Sequence, residues 1–114
     1  LGTAEAHFRK RILTMSMFEK IKLRNKEAFE AHLSDDFIGR SIAHNTTYNK
    51  EGVLEYEAIS KSESYELLLE TDTKLVCQGV DITAEGRFPV IDVWTHDGNK
   101  ITSCDFLFGQ MGEE

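Results

Sequence analysis

The feature that most constrains the fold is a change of hydrophobic period near Lys61. Before this point, apolar residues recur at the three- and four-residue spacing of amphipathic helices. After it, β-branched and aromatic residues dominate, and short turn sequences such as Asp97-Gly98 interrupt them. The predicted strands of this antiparallel meander are 65–71, 74–84, 87–96 and 100–108. Helices followed by strands predict an α+β domain in which the helices cover one face of the sheet.

The first half of the chain predicts three helices. We expect a long amphipathic helix at 3–23, a short helix at 27–33 and a third helix at 50–60. Asn49 is the expected N-cap of the third helix. A short strand at 37–44 lies before it. A sheet that bends around the long first helix leaves a conical hollow, lined by residues of one parity on each strand.

Length and charge set the domain count and exclude several partners. A chain of 114 residues suits one core, so we expect 1–114 to be a single domain. The 13 basic and 20 acidic residues give a net charge of −7. This balance argues against nucleic acid as a partner, because phosphate binding needs a basic surface. No apolar run is long enough to span a bilayer, so we expect no membrane partner either.

The spacing of cysteines and histidines argues against a metal site. Cys77 and Cys104 are far apart and match no zinc-ligand pattern, and His44 and His96 lie at predicted strand ends without a third ligand. We therefore expect no metal and no cofactor. Both cysteines lie in predicted strands, where buried thiols act as small apolar groups, and this usage is typical of the reducing cytoplasm.

Three segments, taken in order, carry a resemblance to a known superfamily. They are Leu33-Ser34-Asp35-Asp36-Phe37 after a helical pair interrupted at Asn25, Tyr48-Asn49-Lys50-Glu51-Gly52-Val53-Leu54, and the hairpin Val90-Ile91-Asp92-Val93-Trp94 with Asp97-Gly98-Asn99-Lys100-Ile101. Nearly the whole chain resembles the nuclear-transport-factor-two-like superfamily, which includes ketosteroid isomerases and polyketide cyclases. The resemblance implies a cone-shaped, cystatin-like α+β roll with a strongly curved antiparallel sheet, and a homodimer.

The last hairpin is most similar to ketosteroid isomerase, whose strand carries an aspartate where Asp92 stands. In that enzyme the apolar site keeps this carboxyl protonated, so that it donates a hydrogen bond to a developing oxyanion. Asp92 lies within the apolar segment 90–94, where desolvation is expected to raise its pKa. The enzyme's base falls on or near Ser41 and its oxyanion tyrosine on Met17, and neither residue can perform those tasks. The sequence therefore argues against ketosteroid isomerisation itself and keeps Asp92 as the candidate catalytic residue.

Strand alternation and the resemblance together predict the walls of the hollow. If Asp92 faces inward, Val90 and Trp94 face inward as well. The other expected wall residues, the last three of them implied by the resemblance, are Met17, Phe18, Phe37, Ser41, Tyr56, Gln78, Val80, Ile82, Cys104, Phe106 and Phe108. Asp81 and Asp105 then fall on the opposite face, which the superfamily uses for dimerisation.

Two functions remain open on the sequence alone. A mostly apolar pocket with a few polar groups suits a small hydrophobic molecule, with Asp92 as hydrogen-bond donor or acid in isomerase- or cyclase-like catalysis on a carbonyl compound. Alternatively, aromatic side chains fill the cone and the domain is a non-catalytic, homodimeric protein-interaction module. The missing base and tyrosine favour the second function, and an aspartate within an apolar strand favours the first.

Overall fold

A computed structural model describes residues 16–22, 26–59 and 61–109. The helices and strands of these residues, in chain order, are α1 (Met17–Lys22), α2 (Lys26–His32), β1 (Leu33–Ser41), β2 (Thr46–Asn49), α3 (Lys50–Ile59), β3 (Lys61–Glu70), β4 (Lys74–Thr83), β5 (Gly86–His96) and β6 (Ile101–Phe108). The remainder of the helix predicted at 3–23 and its interruption at Asn25 lie outside the described residues. Within the described ranges, no helix combines the length and the apolar character needed to cross a membrane.

The described strands form one curved sheet in the order β2-β1-β6-β5-β4-β3. The meander from β3 to β6 is antiparallel, as predicted, and the α+β architecture is confirmed. The sheet is mixed rather than wholly antiparallel, because β1 pairs with β6 in parallel. Parallel neighbours require a long crossover between them, and α3 together with the meander provides that connection.

The first strand begins earlier than predicted and leads into a hairpin that the sequence did not predict. β1 starts at Leu33, so the polar segment 34–36 is part of the strand rather than a loop. Asn45, with φ of 52°, lies in the turn that reverses the chain into β2. Asparagine tolerates this left-handed conformation better than most residues. β2 is a short edge strand whose four residues are all exposed.

Two turn and cap signals in the sequence are confirmed. Asn49 Oδ1 accepts a hydrogen bond from the Gly52 amide at 2.9 Å and so caps α3. In the turn between β5 and β6, Asp97 Oδ1 accepts hydrogen bonds from the amides of Lys100 and Asn99, at 2.7 and 2.9 Å. These bonds lower the pKa of Asp97, because they stabilise its ionised form.

The core lies between the helices and one face of the sheet, called here the inner face because it carries Asp92. Its largest fully buried side chains are Phe29, Phe37, Ile21, Leu33, Leu75, Ile101 and Cys77. The ring centroids of Phe29 and Phe37 lie 5.9 and 6.4 Å from that of Trp94. Helix α2 and strand β1 therefore pack on the indole of β5 and anchor the helices to the sheet.

His32 ends α2 as a buried base in this core. Its side chain is 7% exposed, and its Nε2 atom has no hydrogen-bond partner among the described residues. Burial, followed by the positive charges of Lys20 and Lys100, lowers the pKa of His32 to about 4. The folded state therefore holds the neutral imidazole.

The wild-type protein should lose stability in mild acid because His32 is buried, and the substitution His32→Leu should abolish this part of the loss. The pKa is lower in the folded chain than the 6.5 of an unperturbed histidine, so the unfolded chain takes up the proton first and the free energy of unfolding falls as the pH drops from about 6.5 towards 4. Between pH 7 and pH 5 the expected loss is about 2 kcal/mol, measurable by urea denaturation. His44→Gln, at an exposed turn position, is the control that keeps the wild-type slope. An unchanged slope in His32→Leu would contradict the assignment.

Candidate functional site

A cavity of about 190 Å³ lies between the inner face of the sheet and α3. Its walls are mostly apolar and aromatic, with two carboxyl groups. The described lining residues are Gly39, Tyr48, Gly52, Val53, Tyr56, Asp81, Asp92, Trp94, Cys104, Phe106 and Phe108. A cavity of about 150 Å³ accommodates benzene, whereas pockets for drug-sized ligands begin at about 300 Å³. The volume therefore suits one substituted ring.

The register of the strands explains why these side chains meet. Asp92 on β5 pairs with Cys77 on β4 and with Phe106 on β6, and Trp94 pairs with Cys104. Residues directly opposite one another on neighbouring strands project to the same face of the sheet. The pairing thus places the carboxyl group of Asp92 and the rings of Trp94 and Phe106 in one wall.

Asp92 lies at the end of a buried chain of hydrogen bonds. Tyr65 Oη donates to Asp92 Oδ2 at 2.7 Å, and Trp94 Nε1 donates to Tyr65 Oη at 2.9 Å. Burial is the largest cause of a raised pKa of Tyr65. The hydroxyl therefore keeps its proton and remains a donor to Asp92. This chain fixes the orientation of the Asp92 carboxyl group.

A β-bulge in β3 places Tyr65 within hydrogen-bonding distance of Asp92 and Trp94. The ladder between β3 and β4 shifts register between Glu63 and Glu66, so that Ser64 and Tyr65 together face Gly79. Ser64 has a φ of 54°, and the bulge turns the tyrosine onto the inner face. A Cβ atom at Gly79 would lie 2.8 Å from Tyr65 Cδ1, closer than carbon atoms approach. Only glycine lets the ring lie across β4.

A second tyrosine–aspartate pair lines the same cavity. Tyr56 Oη on α3 donates a hydrogen bond to Asp81 Oδ2 on β4 at 2.8 Å. Asp81 is 3% exposed. The ring of Tyr56 packs near that of Phe108, with centroids 6.2 Å apart. The site therefore contains two buried carboxyl groups, each held by the hydroxyl of a tyrosine.

The face assignment of β4 is the main correction to the sequence analysis. Strand alternation predicts that three residues of β4 face the hollow, namely Gln78, Val80 and Ile82. In the structure, Cys77 pairs with Asp92 on the inner face, whereas Gln78 pairs with Ile91 on the opposite, outer face, and Asp81 points inward instead of outward. Strand side chains alternate, so an error of one residue exchanges the two faces of a whole strand.

The other predicted wall residues divide into those that line the cavity and those that support it. The predicted residues that line it are Tyr56, Asp92, Trp94, Cys104, Phe106 and Phe108. Phe37 is core, packed on Trp94, while Met17 and Phe18 pack against the core from α1, where Phe18 stacks on Tyr65. Ser41 is buried beside Phe106 at the end of β1, outside the described lining. Val90 is buried on the inner face, as predicted, where it pairs with Phe108 outside the described lining.

Asp105 lies on the outer face, as predicted. Arg40 donates to both of its carboxylate oxygens, at 3.2 and 3.3 Å, and both side chains remain partly exposed. An exposed ion pair of this kind contributes little to stability. Asp105 is therefore a useful control residue for the two buried aspartates.

Sequence patterns did not indicate five of the described lining residues or the tyrosine that bonds Asp92, namely Gly39, Tyr48, Gly52, Val53, Asp81 and Tyr65. Tyr65 and Asp81 matter most among them, because they belong to the two buried tyrosine–aspartate pairs. Gly79 is the signal for Tyr65, because an isolated glycine within a strand marks a bulge or a close approach of another group. The signal for Asp81 is weaker. Its strand carries apolar residues at both parities, including Leu75, Val76 and Cys77, so alternation alone does not decide which face is buried.

Comparison with known proteins identifies the fold. No family model and no curated protein matches the chain. A nuclear-transport-factor-two-like protein of unknown function from Cytophaga hutchinsonii is 13% identical with a TM-score of 0.64, over 80% of this chain and 81% of that one. A protein from Kribbella flavida named as a candidate ketosteroid isomerase is 12% identical with a TM-score of 0.66, over 85% and 75%. A steroid delta-isomerase from Pseudomonas aeruginosa is 14% identical with a TM-score of 0.56, over 96% and 80%.

These identities are low, so the likeness shows the fold alone. The chain has the nuclear-transport-factor-two-like fold that its sequence resemblance implied.

The substitution Gly79→Ala should destabilise the protein by about 1–3 kcal/mol, because the new methyl group overlaps the Tyr65 ring. It should also shift the emission of Trp94, the one tryptophan of the chain, whose indole bonds Tyr65. Urea denaturation followed by fluorescence measures both effects. The matched control is Gly52→Ala in α3, where a Cβ atom meets nothing closer than 3.5 Å and alanine favours the helix. Equal stability of Gly79→Ala and the wild type would exclude this placement of Tyr65.

Proposed function

We propose that this domain binds a small, single-ring carbonyl compound in the cavity and acts on it by hydrogen-bond or acid catalysis through Asp92. The observation that carries the proposal is the buried Tyr65–Asp92 hydrogen bond in the wall of an aromatic cavity. Burying a carboxyl group destabilises a fold unless it is hydrogen-bonded. Carboxyl groups buried at the wall of a cleft are frequent members of binding and catalytic sites.

Tyr65 and Asp92 have different roles in this proposal. The single proton of the Tyr65 hydroxyl is directed to Asp92, and its oxygen accepts from Trp94. Tyr65 is therefore a positioning residue, and the polar atom of the ligand meets Asp92. In its protonated form, Asp92 donates to the carbonyl oxygen and stabilises the negative charge that develops there during enolisation.

The dimensions of the cavity define the class of ligand. A volume of about 190 Å³ accommodates one ring with a short substituent, and a steroid is larger than this space. The rings of Phe106 and Phe108 meet edge to face, with centroids 5.4 Å apart, and form an aromatic wall. The name of one structural neighbour, a candidate ketosteroid isomerase, supports a carbonyl substrate, while the volume favours a smaller compound than that name indicates. The open volume also supports ligand binding over a cone filled by its own side chains.

The outer face supports a second proposal, a homodimer. Ile91 on β5 pairs directly with Leu107 on β6, and their side chains are 47% and 43% exposed. Both border a groove of about 500 Å³ that also includes Gln78 and Val80. Contiguous exposed apolar residues are typical of interfaces. A dimer through this face leaves the cavity on the inner face accessible.

The two buried thiols, Cys77 and Cys104, support a reducing compartment such as the cytoplasm.

Acetophenone should bind in preference to ethylbenzene, which has a similar shape but no carbonyl oxygen. An apolar cavity alone favours ethylbenzene, because the carbonyl group must be desolvated. A hydrogen bond from Asp92 should reverse this order and give acetophenone about a 2- to 10-fold lower Kd. Titration calorimetry, or quenching of Trp94, which lines the cavity, measures both constants.

Two variants serve as controls for this experiment. Asp92→Leu should bind both rings without preferring the ketone, because it cannot donate a hydrogen bond to the carbonyl oxygen. Asp105→Asn, on the outer face, should retain the wild-type preference. If the wild type and Asp92→Leu discriminate equally between the two compounds, Asp92 does not contact the ligand.

The substitution Ile91→Glu should convert a wild-type dimer into a monomer. A charge placed within an apolar interface is desolvated without a partner, at a cost of several kcal/mol. Sedimentation velocity measures the change. The control is Leu68→Glu, at an exposed position of β3 outside the groove. A wild-type monomer, or an Ile91→Glu dimer, would rule out this interface.

A further inference from the structure

We infer that Tyr48 sets the size of the ligands that the cavity admits, because its ring closes the side of the cavity that faces solvent. The inference rests on the proposed function, since it concerns the ring of the compound bound there. Among the lining residues that the structure describes, Tyr48 is the exposed one, at 44% of its surface. The other described lining residues are buried or half-buried. Along these walls, the route from solvent into the cavity therefore passes Tyr48.

The Tyr48 ring reaches the cavity because the neighbouring strand carries a glycine. Tyr48 on the edge strand β2 pairs with Gly39 on β1, and Gly39 pairs with Cys104 on β6. The three residues therefore project to the same face of the sheet, where glycine presents no side chain. Two strand spacings, about 10 Å, separate the backbones of β2 and β6. The tyrosine leans across β1, and its ring centroid lies 6.0 Å from that of Phe106 on β6.

Helix α3 fixes the position of Tyr48 from the other side. Asn49, the next residue, caps α3 by accepting a hydrogen bond from the Gly52 amide at 2.9 Å. A Cβ atom at Gly52 would lie 3.6 Å from Tyr48 Cβ, so the helix and the tyrosine approach each other closely. At the far end of the ring, the hydroxyl accepts a long hydrogen bond of 3.4 Å from Thr46 on the same strand. The cap thus holds the backbone of Tyr48, and the ring forms a wall with one side in solvent.

The position of this wall decides which dimension of a ligand is limited. Asp92 pairs with Phe106, and Phe106 contacts Tyr48, so these residues mark a line across the sheet from β5 to β2. At the β5 end, Asp92 and Trp94 are buried, and close packing there leaves no room for a larger ligand. A ketone bonded to Asp92 extends its ring towards Tyr48. A second fused ring would need the space that the Tyr48 ring occupies.

The binding of acetophenone and of 2-acetylnaphthalene, which carries a second fused ring, tests the inference. The wild type should bind acetophenone more tightly. Tyr48→Val, which keeps a β-branched residue in the strand, should bind 2-acetylnaphthalene at least about 10-fold more tightly than the wild type does, because the added ring buries further apolar surface. Its Kd for acetophenone should rise about 2- to 10-fold, since an aromatic contact is lost. Titration calorimetry measures all four constants.

Two control variants separate size exclusion from general damage to β2. Tyr48→Phe keeps the ring and should reproduce both wild-type constants within about 2-fold. Thr47→Val introduces the same residue on the opposite face of the strand, where Thr47 pairs with Arg40, and should leave both constants unchanged. Urea denaturation of each variant establishes that it is folded.

Equal affinity of Tyr48→Val and the wild type for 2-acetylnaphthalene overturns the inference, as does a wild type that binds both ketones equally. Failure of the proposed function has a different signature, namely a wild type without preference for acetophenone over ethylbenzene. The comparison of ethylbenzene with 2-ethylnaphthalene then measures the size limit at Tyr48, because exclusion by a ring needs no carbonyl group.

Discussion

The hydrogen bond from the Tyr65 hydroxyl to Asp92 is the interaction on which the inner face of the sheet depends. A buried carboxyl group destabilises a fold by several kcal/mol unless polar partners satisfy it. Supplying the tyrosine as a partner requires a bulge at Ser64, a missing side chain at Gly79 and the indole of Trp94 as a further donor. Because each group in the chain orients the next, the residues act as a unit rather than as separate contacts.

The cavity beside these hydrogen bonds exists because different residues hold its floor and its cover apart. The floor is the inner face of β4, β5 and β6, whereas α3 forms part of the cover and packs on β1, where a Cβ atom at Gly39 would lie 3.1 Å from Val53. Aromatic side chains line the space between them, and hydrogen bonds strengthen in apolar surroundings. Asp92 and Asp81 thus lie where a modest polar contact has its largest effect on a bound molecule.

The sequence predicted the features that local chemistry determines. The cap at Asn49 and the turn at Asp97-Gly98 depend on neighbouring residues, so the pattern located both. β2 was missed because all four of its residues are exposed and no apolar alternation marks it. The inward position of Asp81 was missed because β4 has apolar residues on both parities, and only contact with a helix 25 residues away in the chain decides its face. Asp92 was found, but its partner, 27 residues earlier, required the tertiary structure.

The position of β6, between β1 and β5, has a consequence for the order in which the molecule assembles. During synthesis, β1 and β2 emerge well before residues 101–108. Strand β1 can pair with β6 only after that, so the sheet is completed through contacts between residues that are distant in sequence. This pairing is a slow step of folding, because the chain loses the entropy of a large loop before the contacts that compensate for it can form. Strand β6 contributes Cys104, Phe106 and Phe108 to the lining of the cavity. A ring-shaped ligand can therefore recognise only the finished sheet, and by mass action its binding would draw late intermediates towards completion.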